Sequence, residues 1–249
     1  MSLLNNTLEL KKTHDYCGSK RPRLTAVFIH GIATDSSSFT NTIRYLEGTR
    51  SLKDVRFVAF DLLGSGKSRH SDKLSYDYGE QVEALRNSIQ KLKINTPLLL
   101  IGHSMGSLIT VRYANTYKKT VNNLILVSPP VYSEKDLDSP AFAAGIKVFR
   151  DAVALKNRKI IEERAFNNSM EKIILNRKNY KNFIDLKTPA VIIYGNLDQF
   201  IAPHNIPKIL KENPKYLTAI KTEGRHGVSR DKYTKMVGLI EEMLNAEVI

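Results

Sequence analysis

The stretch PLLLIGHSMGSL, residues 97–108, decides the fold of this chain because it joins a buried strand to a helix through a glycine turn. Its aliphatic half has the continuous hydrophobicity of a strand that is covered on both faces. A Gly-x-Ser-x-Gly turn in that context holds its serine at a strained, exposed apex beyond the carboxyl end of the sheet. Ser104 is therefore the candidate nucleophile, Gly102 and Gly106 permit the turn, and a helix is predicted to begin at Met105.

Aliphatic runs and amphipathic stretches alternate on both sides of this turn. Buried strands are predicted at residues 25–30, 55–60, 97–102, 123–128 and 189–195, and a last strand is predicted at residues 216–220. Helices are predicted at residues 37–47, 78–93, 105–118, 203–212 and 230–245, and an edge hairpin at residues 7–16. The repeated order of strand, helix and strand predicts an α/β fold with a mostly parallel, doubly wound sheet.

The alternation is interrupted between residues 131 and 187, where no buried strand is predicted. Two to four short, basic helices are expected there, forming a small helical cap inserted late in the sheet. The core then consists of residues 1–130 and 188–249. Three aromatic side chains are candidates for the face of the cap that lines a pocket: Phe142, Phe149 and Phe166. Ordinary packing is the more common role of such residues.

The composition is that of an ordinary globular protein, with 42% hydrophobic and 25% charged residues. No apolar run approaches the roughly 20 residues that cross a bilayer, and the first residues lack the pattern of an export signal. Cys17 is the only cysteine, so no internal disulfide is expected. These features together predict a cytoplasmic location.

The net charge of +13 raises the question of an anionic partner. Basic residues are spread along the whole chain, which favours a solvated surface, and no nucleic-acid partner is expected. Residues 141–187 contain 11 Lys or Arg and 5 Asp or Glu, so the predicted cap is basic. A solvated face is the preferred interpretation of that charge, and peripheral contact with an anionic membrane surface is the alternative.

A serine hydroxyl becomes an effective nucleophile only when a base removes its proton. His226 is the candidate base because it lies in the glycine-rich loop EGRHGVSR, residues 223–230, between the last predicted strand and the last helix. His103 is next to the candidate nucleophile in sequence and is expected to point away from it.

The base in turn needs a carboxylate that orients its ring and stabilises its charged form. Asp198 follows the strand predicted at residues 189–195 and is the preferred candidate. Glu134 and Asp136, which follow the preceding strand, remain the alternatives.

The chain order Ser104, Asp198, His226, together with the glycine turn, resembles the α/β-hydrolase fold family over nearly the whole chain. The resemblance implies a serine hydrolase that cleaves small-molecule carboxylic esters through an acyl-enzyme intermediate, without a metal or organic cofactor. Within this fold, a lysophospholipase or monoacylglycerol lipase, a thioesterase, a C–C bond hydrolase and a perhydrolase remain alternatives. Outside the enzymes, the alternative is a non-catalytic protein that binds a small ligand.

The stretch FIHGI, residues 28–32, matches the His-Gly pair that leads into the oxyanion loop of that family. The resemblance implies that the backbone N–H groups of Ile32 and Met105 form the oxyanion hole. His30 and Gly31 then shape the turn beside it.

The stretch DLLGSGKS, residues 61–68, suggests a nucleotide-binding loop, but the phosphate-loop pattern needs a glycine where Asp61 stands. The stretch instead resembles a turn found in the α/β-hydrolase family. That resemblance implies a structural turn, in which Asp61 and Ser68 brace the loop while Gly64 and Gly66 permit a tight backbone.

Overall fold

The computed structural model describes residues 8–68, 70–156 and 160–246. Within them, seven strands form one sheet: β1 (Lys11–Cys17), β2 (Leu24–Ile29), β3 (Val55–Asp61), β4 (Leu98–His103), β5 (Asn123–Val127), β6 (Ala190–Gly195) and β7 (Leu217–Thr222). Their order across the sheet is β1-β3-β2-β4-β5-β6-β7, and every neighbouring pair is parallel except β1 and β3. The predicted fold class, α/β with a mostly parallel doubly wound sheet, is confirmed.

The described helices alternate with these strands: α1 (Thr40–Glu47), α2 (Tyr78–Lys91), α3 (Met105–Thr116), α4 (Glu134–Leu137), α5 (Pro140–Lys156), α6 (Glu163–Ser169), α7 (Asn179–Ile184), α8 (Ile206–Glu212) and α9 (Arg230–Ala246). Short 3₁₀ turns lie at Ser36–Phe39, Arg50–Leu52 and Pro203–Asn205, and a π-helical turn lies at Met170–Ile174. None of the helices described has the length and apolar character needed to cross a membrane.

The central strand β4 shows why the strands of this sheet are continuous hydrophobic runs. Successive side chains of a strand point to opposite faces of the sheet. Leu98 and Leu100 pack into the core cluster that α2 and α3 cover, whereas Leu99 and Ile101 pack into the cluster that α1 and α9 cover. Because both faces are covered, every residue of β4 is buried and no polar alternation appears in its sequence.

The edge hairpin predicted at residues 7–16 is wrong for the described residues 8–16. Their strand, β1, pairs antiparallel with β3, with Lys12 opposite Phe60 and Tyr16 opposite Phe57. Since β3 lies between β1 and β2 in the sheet, the two strands that are neighbours in sequence do not pair. Residue 7 lies outside the described part of the chain.

The chain between β5 and β6 forms α4, α5, α6, the π-helical turn and α7. With 17 residues, α5 is longer than the short helices expected in this segment. Phe166, Ile173 and Phe183 from this segment are buried in the core cluster on the α3 face of the sheet. Residues 157–159 of the segment lie outside the described residues.

Candidate active site

Ser104 occupies the turn between β4 and α3 in a backbone conformation that few non-glycine residues adopt. Its φ is 52° and its ψ is −120°, and its N–H donates to the carbonyl of Val127 at 2.9 Å. A Cβ on Gly106 would overlap the carbonyl of Ile29, and one on Gly102 would overlap the main chain of Gly106. Both glycines are therefore required by close backbone packing, and the strain at the serine is of the kind that clusters at functional sites.

The side chains of Asp198 and His226 meet beyond the ends of β6 and β7. The Nδ1 atom of His226 lies 3.0 Å from each carboxylate oxygen of Asp198. The Asp198 side chain is fully buried, whereas that of His226 is 22% exposed. Burial acts to raise the pKa of Asp198, but hydrogen bonds from His226 and from the Phe200 N–H outweigh it and hold that pKa below its ordinary value. The carboxylate is thus ionised and accepts a hydrogen bond from Nδ1 of His226. In the neutral imidazole this leaves Nε2 as the nitrogen with a free lone pair.

The loops that carry these two residues are tied together by main-chain contacts. The Asn196 N–H donates to the carbonyl of Thr222 at 2.9 Å, and the Leu197 N–H donates to that of Gly224 at 3.0 Å. A Cβ on Gly195 would overlap the Gly224 carbonyl, so this approach needs a glycine at the end of β6. The paired loops bring Asp198 and His226 together although 28 positions separate them in sequence.

The carboxylates kept as alternatives to Asp198 serve other contacts. Asp136 caps α4 by accepting from the Ser133 N–H at 2.8 Å and from the Ser133 hydroxyl at 2.6 Å. Its remaining partners are Asn205 at 2.6 Å and His204 at 2.9 Å. Glu134 lies on the first turn of α4 and is exposed. The carboxylate that orients the His226 ring is therefore that of Asp198.

Ser104 and His226 line the same cavity, whose volume is about 550 Å³. Within the part of the chain that the structure describes, no hydrogen bond joins the Ser104 hydroxyl to the His226 ring. Such a bond between nucleophile and base often tightens only in the complex with substrate. Gly31 packs directly against the serine, since a Cβ added to it would lie 3.1 Å from the Cβ of Ser104.

His30 fixes the loop that begins with Gly31. Its ring is fully buried, with Nδ1 2.7 Å from the Gly31 carbonyl and Nε2 2.9 Å from the Leu62 nitrogen. A carbonyl only accepts and an N–H only donates, so the ring is neutral with its proton on Nδ1. Burial lowers the pKa of His30, which keeps it in that form. The imidazole therefore joins the Gly31 loop to the chain that leaves β3.

The two N–H groups predicted for an oxyanion hole belong to Ile32, which follows the Gly31 that packs against the serine, and to Met105, which follows the serine in sequence. Ile32 lines the cavity, and its N–H makes no main-chain hydrogen bond among the described residues. Met105 is the first residue of α3 and directly follows Ser104. The N–H groups at a helix start are free of intrahelical partners and favour negative charge. The assignment of these donors stays a prediction.

The stretch at residues 61–68 forms a turn whose polar groups are used within the protein. The Asp61 carboxylate accepts from the N–H groups of Ser36 at 2.9 Å and Lys67 at 2.8 Å. The Ser68 hydroxyl donates to the Asp61 carbonyl. Gly64 and Gly66 have φ values of 80° and 53°, so both need the freedom of glycine. These contacts support the interpretation of a structural turn over that of a phosphate site.

His103 is a site residue whose contact was not foreseen. The sequence predicted only that its ring points away from the serine. In the structure the His103 ring lies against the ring of His226, with centroids 5.1 Å apart. Its Nε2 is 2.9 Å from the His226 carbonyl, and its buried Nδ1 has no partner among the described groups. Burial, reinforced by the nearby His226, lowers the pKa of His103 to about 3. The ring is therefore neutral and donates its Nε2 proton to the main chain of His226.

Lys232 is a second residue that sequence reasoning missed. Lys232 lies on α9 and its side chain is fully buried. Its Nζ donates to the Ser128 hydroxyl at 2.8 Å and to the carbonyls of Arg225 at 2.6 Å and Gly227 at 2.9 Å. A signal was present in the sequence, because this lysine continues the four-residue spacing of the buried face of α9: Met236, Ile240 and Leu244.

The cavity beside Ser104 is mainly apolar. Its apolar walls come mostly from the segment between β5 and β6: Phe142, Ile146, Phe149, Val153, Met170 and Ile174. Phe166, also expected on this face, lies behind Phe149 with ring centroids 6.3 Å apart and does not line the cavity. Tyr132 and His204 are among the polar groups that line it. No group of three or more His, Cys, Asp or Glu side chains suited to a metal was found among the residues described.

The sequence matches the family described as alpha/beta hydrolase fold over residues 27–159. The chain belongs to this family, as the order of its strands and the turn at Ser104 also indicate.

Curated relatives of the chain include enzymes named for lipids. It is 32% identical over 132 residues to the probable lysophospholipase BODYGUARD 5 of Arabidopsis thaliana, covering 53% of this chain and 30% of the relative. It is 26% identical over 229 residues to Lipase 1 of Psychrobacter immobilis, covering 76% of this chain and 67% of the relative. The chain thus spans about a quarter to a third of the length of three BODYGUARD relatives.

Solved structures with the same fold align along almost the whole chain. A monoacylglycerol lipase of Paleococcus ferrophilus has a TM-score of 0.65 at 20% identity, covering 95% of this chain and 98% of that one. An esterase of Exiguobacterium antarcticum has a TM-score of 0.71 at 18% identity, covering 95% of each chain. At these identities the likeness concerns the fold.

Proposed function

We propose that this protein is a serine hydrolase that cleaves carboxylic esters through an acyl-enzyme intermediate. The observation that carries the proposal is the contact of His226 with Asp198 at the edge of the cavity that Ser104 also lines. Ser104 is the nucleophile, His226 the general base and acid, and Asp198 the group that orients the imidazole and stabilises its charged form.

The reaction follows from the free Nε2 lone pair of His226. That atom takes the hydroxyl proton as Ser104 Oγ attacks the carbonyl carbon of the ester, and the N–H groups of Ile32 and Met105 stabilise the resulting oxyanion. His226 then gives the proton to the leaving alcohol, which departs and leaves an acylated serine. Water attacks this acyl-enzyme with His226 again as base, and the proton returns to Ser104 as the acid leaves.

The substrate's acyl group is expected to occupy the apolar part of the cavity. Its walls include Phe142 and Phe149 from α5, and Met170 from the π-helical turn. Residues 131–187 are therefore proposed as a cap that shapes the substrate pocket. The volume of the cavity, about 550 Å³, lies within the range of small-molecule sites. Burial of an alkyl chain in it contributes about 0.8 kcal/mol per methylene group.

A narrower candidate function is a lipase for monoacylglycerols or lysophospholipids. It is favoured by the apolar walls of the cavity and by the names of the relatives, which include a probable lysophospholipase and a monoacylglycerol lipase. Release of fatty acid from these lipids at a rate above that for simple esters of equal acyl length would favour it.

A fluorophosphonate probe tests the proposal because it reacts with an activated serine hydroxyl. The wild-type protein is expected to be labelled at Ser104, and Ser104→Ala is expected to remain unlabelled. Ser19→Ala, which removes a half-buried hydroxyl from a loop before β2, provides the matched control and should label normally. An unlabelled wild type, together with saturable binding of a small ester without turnover, would support the non-catalytic alternative.

A further inference from the structure

Lys232 places a buried ammonium group beneath the loop that carries His226. Its side chain is fully buried, and four oxygen atoms surround its Nζ. These are the Ser128 hydroxyl at 2.8 Å and the carbonyls of Arg225 at 2.6 Å, Gly227 at 2.9 Å and His226 at 3.4 Å. A charge removed from water is tolerated only where such partners replace its hydration. The contacts therefore bind the lysine and the loop to each other.

The carbonyls that Lys232 holds lie on both sides of the candidate base in sequence. Arg225 precedes His226 and Gly227 follows it, and the His226 carbonyl also accepts from Nε2 of His103 at 2.9 Å. With these main-chain groups held, the direction in which the His226 side chain leaves the backbone is fixed. The ring is then placed by its Nδ1 contact with Asp198.

Ser128 connects this arrangement to the sheet. It follows β5 with a φ of 50°, and its N–H donates to the carbonyl of Ile193 in β6 at 2.8 Å. Ser128 also helps to hold the pKa of Asp198 below its ordinary value, after the larger effect of His226. Lys232 therefore links the His226 loop to the same strand ends that support the carboxylate.

We propose that Lys232 is a positioning residue, whose ammonium group fixes the main chain at residues 225–227 so that the His226 ring stays between Asp198 and Ser104. The inference rests on the proposed function, because it takes His226 as the catalytic base. Lys232 touches neither the cavity nor the reacting atoms and acts only through His226.

The test compares Lys232→Met, which removes the charge and all N–H donors at similar length, with Lys232→Gln, which retains an N–H donor. Lys235→Met makes the same chemical change at an exposed lysine of α9 and is the matched control. Each variant is measured for its fluorophosphonate labelling rate, for kcat and KM on a p-nitrophenyl ester, and for the His226 Nδ1 proton signal in ¹⁵N-histidine NMR. Circular dichroism establishes which variants are folded.

Lys232→Met is expected to lower the labelling rate and kcat about 10- to 100-fold, because small displacements of a catalytic group have effects of this size. KM should change by less than about twofold, since the cavity is not altered. The His226 Nδ1 signal should shift or broaden, Lys232→Gln should recover part of the rate, and Lys235→Met should match the wild type. If Lys232→Met does not fold, the labelling rate and the His226 signal of Lys232→Gln are compared with those of the wild type, and this comparison tests the proposal.

The proposal would be overturned if both Lys232 variants were labelled at the same rate as the wild type and showed an unchanged His226 signal. An unlabelled wild type would instead refute the proposed function. In that case the NMR signal still tests whether Lys232 positions the His226 ring. A His226 signal altered in Lys232→Met supports this link, and an unaltered signal refutes it.

Discussion

The Nδ1 atom of His226 lies 3.0 Å from both carboxylate oxygens of Asp198, and this contact determines which nitrogen of the ring is free. An ionised carboxylate only accepts hydrogen bonds, so Nδ1 carries a proton, and in the neutral imidazole Nε2 is the nitrogen that can accept one. The ring is partly open to the cavity, whereas the carboxylate is completely buried. A buried carboxylate behind a partly exposed imidazole is the arrangement that a general base in acyl transfer requires.

Asp198→Asn is expected to lower kcat about 10³- to 10⁴-fold with little change in KM, because an amide can donate to Nδ1 and stabilise the wrong tautomer. Hydrolysis of a p-nitrophenyl ester measures both constants. Glu134→Gln makes the same carboxylate-to-amide change at an exposed position that sequence reasoning had kept as an alternative, and it should leave both constants unchanged. A large effect of Glu134→Gln with none of Asp198→Asn would contradict the assignment.

Gly106→Ala is expected to destabilise the fold by about 1–3 kcal/mol or more, because a Cβ there would overlap the carbonyl of Ile29 in β2. The backbone must move to accommodate it, so the labelling rate of Ser104 should fall as well. Gly238→Ala is the matched control within α9, where a Cβ would meet nothing within 4 Å. Helix propensity predicts that this control is stabilised by up to about 1 kcal/mol. Urea denaturation compares the two, and equal stabilities would refute the packing argument.

The strands and the serine turn were predictable because their causes are local. A strand buried on both faces must be apolar throughout, as β4 is, and the glycines around Ser104 mark a turn wherever they occur between strand and helix. The partner of β1 was not predictable in the same way, since pairing with β3 depends on the order of strands across the sheet.

Lys232 shows what remained hidden in the sequence. A lysine is almost never fully buried unless it is paired, so the default expectation places it in solvent. Its partner Ser128 lies 104 positions away, and its carbonyl partners are main-chain atoms that any sequence would supply. The position of Lys232 on the spacing of Met236 and Ile240 was the only local indication.

Gly145→Leu is expected to shorten the longest acyl chain that the protein accepts. Gly145 lies on α5, lines the cavity, and has open space where a Cβ would be. A leucine there would occupy volume that the acyl chain otherwise fills. A panel of p-nitrophenyl esters of increasing acyl length should show kcat/KM retained for the shortest ester and reduced for long ones. Ala144→Leu, an exposed neighbour on α5 that does not line the cavity, should leave the profile unchanged, and identical profiles for all three proteins would place the acyl chain elsewhere.

The stability of the wild type relative to Lys232→Met is expected to rise with pH in the alkaline range. Burial lowers the pKa of Lys232 from 10.5 to about 8, and the charge of Asp198 opposes that shift only in part. Below pH 8 both states are protonated and the cost of burying the charge is present in full. Between pH 8 and 10.5 the unfolded chain binds more protons than the folded one, so the unfolding free energy rises with pH.

Deprotonation of Lys232 in the folded protein relieves the cost of burying its charge. This cost is at most about 3 kcal/mol, the equivalent of the pKa shift from 10.5 to about 8. Lys232→Met lacks the titrating group. Subtracting the unfolding free energy of this variant from that of the wild type at each pH removes the contribution of the other lysines and tyrosines. The nearby titratable groups Asp198, His103 and His226 are present in both proteins. Urea denaturation at intervals from pH 7 to pH 10.5 should give two curves that diverge above pH 8. Parallel curves would mean that the ammonium is stabilised by its oxygen partners well enough to keep an ordinary pKa in the folded protein.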